Sequence, residues 1–65
     1  MDLGRRILGM MVMRGISVDE MANYLCMHRA TFYRRINDPE TFTFGELKRA
    51  AKLLRTSISE IIGKE

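Results

Sequence analysis

Three times in 65 residues a hydroxyl side chain stands three positions ahead of a glutamate: Ser17-Val18-Asp19-Glu20, Thr43-Phe44-Gly45-Glu46 and Ser57-Ile58-Ser59-Glu60. This is the sequence form of a capping box, in which the hydroxyl accepts from the third helical amide and the glutamate reaches back to the amide of the cap. Each occurrence marks a helix start. At the first two, an apolar residue just before the cap is matched by another in the first turn of the helix: Ile16 with Met21, and Phe42 with Leu47. That spacing forms a hydrophobic staple across the cap. Three helix starts leave little room for other structure, and no stretch alternates apolar and polar residues long enough to make a strand. The chain is predicted to be all-α.

The remaining boundaries follow from periodicity and breakers. Asp2 is placed as the cap of a first helix that runs to about Met13, with Leu3, Ile7, Met10 and Met11 on one apolar stripe. Gly15 closes it. A second helix runs from Val18 to about Leu25 and buries Met21, Ala22 and Leu25, with Cys26 and Met27 as the joint. The third begins near His28 or Arg29 and ends at Asn37-Asp38-Pro39, because proline disfavours helical geometry in the residue before it. A fourth spans Phe44 to about Arg55 and buries Leu47, Ala50, Ala51 and Leu54; a short fifth, Ile58 to Ile62, stops at Gly63. The six methionines could supply an adaptable contact surface, but at helical spacing they are read as filling gaps in the core.

A domain of this length buries only about 60% of the surface its unfolded chain exposes, which leaves no room for a deep pocket. Eleven Lys and Arg against eight Asp and Glu give a formal charge of +3, compatible with a polyanionic partner without demanding one. Cys26 is the single cysteine, so an internal disulfide is impossible and a reducing, cytoplasmic compartment is the expectation. The apolar run Ile7 to Met13 is broken by Gly9 and stopped by Arg14. It falls far short of the ~20 residues that span a bilayer, so it is read as a core helix with no membrane role. With one histidine, one cysteine, no zinc-type spacing, no phosphate-cradling glycine loop and no nucleophile beside a base, the inventory argues against an enzyme. It argues equally against a metal site, a cofactor or a small-molecule substrate.

The third helix carries the chemistry. On ideal helical geometry Arg29, Ala30, Tyr33, Arg34 and Asn37 share one arc while Phe32 points the other way. Arginine pairs bidentately with guanine and asparagine with adenine, and an alanine methyl can meet a thymine methyl. The bland reading is a basic surface helix that keeps a small protein soluble. Anions also gather at helix starts, where amides lack partners and the dipole is positive. Ser17 and Val18 before and in the second helix, and Thr41, Thr43 and Phe44 around the fourth, are therefore candidate phosphate contacts, with capping as their minimum role. Lys48, Lys52 and Arg55 form a stripe along the fourth helix that is read as solvated surface.

Met21-Ala22, then Leu25, then Met27, then Thr31-Phe32 followed by a basic pair resembles the helix-turn-helix of the phage repressor and Cro family, also called XRE-like regulators. The similarity spans about Ile16 to Ile62, with the helix-turn-helix at about residues 17–37. It implies a compact five-helix, lambda-repressor-like domain whose third helix enters the major groove of double-stranded DNA while the second crosses above the backbone. Ala22 matches the small residue at the closest approach of the two helices, and Met21, Leu25, Met27 and Phe32 match the apolar positions that hold their angle. Carried onto this chain, the base-reading positions are His28, Arg29, Ala30, Tyr33, Arg34 and Asn37. Two positions depart from the pattern. Cys26 stands where the family favours glycine in a left-handed turn, at a cost of roughly 1 kcal/mol. Arg35 stands where it has an apolar residue, so either the helix rotates to bury Ile36 or the Arg35 stem packs while its head reaches solvent or Asp38.

The resemblance also implies a homodimer on a palindromic operator, with half-sites ~34 Å apart. Ile58, Ile61 and Ile62 exceed what so short a helix needs for its own core and are the candidate dimer contact, the alternative being that all three pack on the first helix. Repression by excluding polymerase, in a bacterial or phage setting, is the expected outcome of occupancy. The competing function is a protein-interaction module, such as an antitoxin or accessory adaptor built on the same fold. RNA is a weaker option, because only Tyr33 is placed to stack on a base.

Overall fold

Gly15, Cys26 and Arg55 all take positive φ, at 70°, 58° and 59°, and each one ends a helix in the same way. A computed structural model describes residues 3–63, folded into α1 (Leu3–Arg14), α2 (Val18–Tyr24), α3 (Arg29–Asn37), a 3-10 turn (Pro39–Thr41), α4 (Phe44–Leu53) and α5 (Ile58–Ile62). At the α1–α2 joint the Gly15 amide donates to Val12 O and the Ile16 amide to Met11 O. Cys26 and Met27 repeat this pair of bonds to Asn23 and Ala22, and Arg55 and Thr56 repeat it to Lys52 and Ala51. These are three Schellman endings, each followed by an extended N-cap, Ser17, His28 or Ser57. A left-handed residue, an apolar or half-buried residue and a cap thus reverse the chain three times. Only the first of these turns has the glycine that suits it.

All five expected helices are present, and no strand occurs among the described residues. α4 stops at Leu53 rather than near Arg55, because the left-handed Arg55 cannot extend it. The Asp2 cap lies outside the described residues. Of the three capping boxes only Thr43/Glu46 closes in both directions, with Thr43 Oγ1 accepting from the Glu46 amide at 3.1 Å and Glu46 Oε1 from the Thr43 amide at 2.9 Å. Ser17 and Ser57 accept from Glu20 and Glu60 amides. The Glu60 carboxylate, however, accepts from the Thr56 hydroxyl instead of returning to the cap. The 3-10 turn opens on Pro39, whose missing N–H is not needed at a first helical position. Thr41 closes it with a 2.7 Å bond from its hydroxyl to Asp38 O.

Phe32 from α3 is wholly buried, as are Ile7 of α1, Met21 of α2, Leu54 at the C-cap of α4 and Ile61 of α5. Met11 joins the buried set with Met21, Met10 and Met27 pack at its edge, and Met13 is exposed. α1 and α2 both pack on α3, and α5 bridges α1 and α4. α1 approaches α3 tightly at Gly4, where a Cβ would lie 2.1 Å from the Ile36 carbonyl oxygen. Only glycine fits there, a requirement that helical periodicity does not reveal. Two arginines of α1 tie it to the ends of later helices: Arg14 Nε donates to Leu54 O and Arg6 Nε to Glu60 O. Basic groups at helix C-termini complement the exposed carbonyls.

Candidate nucleic-acid interface

α3 is anchored from within by Phe32 and Ile36, which leaves His28, Arg29, Ala30, Tyr33, Arg34 and Asn37 exposed on its outer side. The sequence arc is therefore an open surface of the molecule. His28 caps α3 through its extended backbone without a side-chain bond. Tyr33 stands edge-on to Phe32, centroids 6.1 Å apart, so the core ring fixes the position of the surface ring. The guanidinium of Arg29 sits 6.0 Å from the Tyr33 ring centroid and 3.2 Å from Asp19 Oδ1.

Arg35 lies off this surface, and each of the two alternatives left open for it holds in part. Ile36 is buried and the Arg35 stem packs, with its side chain only 25% exposed. The head bonds to Glu46 and Thr41 rather than to Asp38: Nη1 donates to Glu46 Oε1 at 3.0 Å and to the Thr41 carbonyl. Glu46, 13% exposed at its side chain, thus serves the α4 cap and the α3 ion pair with one oxygen. The pair could not be read from local pattern, because its members are 11 residues apart.

These two ion pairs bracket α3. Asp19 joins its first turn to the start of α2, and Glu46 joins its last turn to the start of α4. Two helix N-termini thus flank the exposed arc. The hydroxyl oxygens of Ser17 and Thr43 accept cap bonds, yet each keeps its own O–H proton to donate. The Thr41 hydroxyl is committed to Asp38 O. Val18 and Phe44 are first helical residues, whose amides lack intrahelical partners, and Phe44 is 68% exposed.

Lys48, Lys52 and Arg55 are exposed; the last two line a separate hollow with Arg14, Tyr24 and Leu53, to which no α3 residue contributes. Ile61 is wholly buried in this chain's own core, while Ile58 and Ile62 are half-buried. Among the described residues no helix is long and apolar enough to cross a membrane.

A family model for the Cro/C1-type helix-turn-helix DNA-binding domain matches residues 6–65. The chain belongs to that family. Searches of curated proteins and of solved structures gave no match. Cys26, in the left-handed turn between α2 and α3, is exposed.

Proposed function

We propose that this Cro/C1-type domain is a sequence-specific transcriptional regulator that lays α3 in the major groove of double-stranded DNA. The observation that carries the reading is the exposed arc from His28 to Asn37 on a helix whose opposite side is locked into the core by Phe32 and Ile36. Arg29, Arg34 and Asn37 supply the hydrogen-bonding groups for base edges, Ala30 an apolar contact for a thymine methyl, and His28 and Tyr33 complete the reading surface. Phosphates are taken at the two flanking helix starts, by the hydroxyls of Ser17 and Thr43, by the amides of Val18 and Phe44, and at Thr41.

One such surface meets few bases, so the functional unit is a homodimer on a palindromic operator, joined through Ile58 and Ile62 with Ile61 behind them. Occupying a promoter in this way excludes polymerase, which makes the protein a repressor of Cro type acting in a bacterial cytoplasm, whether encoded by host or phage. A protein-interaction module remains the second reading. The observation in its favour is the pair Val12 and Met13, 80% and 79% exposed on α1.

Selection of bound duplexes from a random pool, followed by titration over a range of salt, tests the proposal. A palindromic consensus, affinity that falls steeply with added salt, and a loss of ~1–3 kcal/mol in Arg34→Ala with unchanged fold are expected. No enrichment and no affinity at low ionic strength would overturn it in favour of the protein-partner reading.

A further inference from the structure

Among the described residues of the exposed arc, Arg29 is the one with a charge partner, and that partner lies outside the arc, 10 residues earlier in the chain. Asp19 is the second residue of α2. Its Oδ1 accepts from Arg29 Nη1 at 3.2 Å, and the contact is open to solvent, with side chains 73% and 61% exposed. A guanidinium has five N–H donors in a planar fork, so a single bond to Nη1 leaves the Nε and Nη2 edge available. The Tyr33 ring one turn along α3 borders the same guanidinium. Arg29 is therefore held along its helix at two points, with a bidentate edge still unused.

We propose that Asp19 is a positioning residue for DNA discrimination: it keeps Arg29 lying along Tyr33 for base edges and withholds that charge from phosphates. The inference rests on the duplex-binding reading above. An arginine without such a partner divides its time between base edges and phosphates, and a phosphate contact adds affinity for every sequence and information about none. The Asp19 carboxylate offsets the Arg29 charge that a phosphate would draw on, while the charge-assisted bond fixes the fork before DNA arrives. An exposed ion pair of this kind contributes ~0.2–1 kcal/mol, which sets the scale of the effect at about 1.4- to fivefold.

The test compares wild type, Asp19→Asn, Arg29→Ala and the double variant on the selected operator and on a scrambled duplex, across salt, with a thermal melt of each protein. In Asp19→Asn the operator-to-scrambled affinity ratio falls about 1.4- to fivefold. Affinity for the scrambled duplex rises, with the slope of log affinity on log salt steeper by about 0.9, one more phosphate neutralised. In the Arg29→Ala background the same substitution leaves the ratio unmoved. An unchanged ratio in Asp19→Asn, including one accompanied by a lower melting temperature, overturns the proposal and leaves Asp19 as a helix-start acid. An equal fall in both backgrounds overturns it too, because Asp19 would then act without Arg29. If wild type binds neither duplex at low salt, the duplex-binding reading itself falls, an outcome visible before any variant is made.

Discussion

One substitution at two positions of α1 should change stability in opposite directions. At Gly4 an added Cβ would meet the Ile36 carbonyl oxygen at 2.1 Å and the Ile36 carbonyl carbon and Cγ2 at 3.0 Å. The nearest obstacle is backbone, so α1 and the last turn of α3 must part by roughly an ångström to reach ordinary contact. Overpacking of this sort costs ~1–3 kcal/mol. At Gly9 an added Cβ meets nothing within 4 Å, and the residue is exposed in the middle of the helix. There alanine contributes only its better helix propensity, a gain of ~1 kcal/mol. Gly4→Ala should therefore destabilise by about 2 kcal/mol and Gly9→Ala stabilise by about 1 kcal/mol. In a domain of this size each kcal/mol moves Tm by ~4–8 °C. Thermal and urea melts followed by far-UV circular dichroism resolve both shifts. A Gly4→Ala protein that melts with or above the wild type would refute the close α1–α3 approach. A Gly9→Ala protein that melts below it would show that this side of α1 is not open.

Cys26→Gly should raise stability by up to about 1 kcal/mol, the left-handed strain relieved less the extra chain freedom of glycine. A fall in the urea midpoint would mean that the turn does not need that conformation. Glu46→Ala removes both a cap bond and the partner of Arg35 and should cost ~2 kcal/mol. A double-mutant cycle with Arg35→Ala should return a coupling of ~0.5–3 kcal/mol, and a coupling of zero would dissolve the α3–α4 link. Ser17→Ala should lose ~1 kcal/mol through its cap bond to Glu20, read as a lower Tm; an unchanged Tm would show that water satisfies that amide equally well.

The helices were legible because their signals are local. A hydroxyl and a glutamate three residues apart define a start at Ser17, Thr43 and Ser57, and a proline or a left-handed residue defines an end. The arc from Arg29 to Asn37, opposite Phe32, follows from the angle between successive residues of any helix. Less was legible where function is organised. Arg35 was an anomaly in the pattern until Glu46 and the Thr41 carbonyl accounted for it. The 3-10 turn at Pro39–Thr41 had no signal beyond the proline, and the left-handed Arg55 had none at all.

By itself the sequence determined that this protein is helical, where most of its helices begin, and which side of α3 turns outward, because capping and periodicity act within one or two turns. Tertiary structure alone decided that α3 is clasped by Asp19 and Glu46, that Gly4 admits it against α1, and that Ile61 is buried in this chain's core. Those outcomes join residues 10, 11 and 32 positions apart, and no local rule specifies which distant neighbour a side chain will meet.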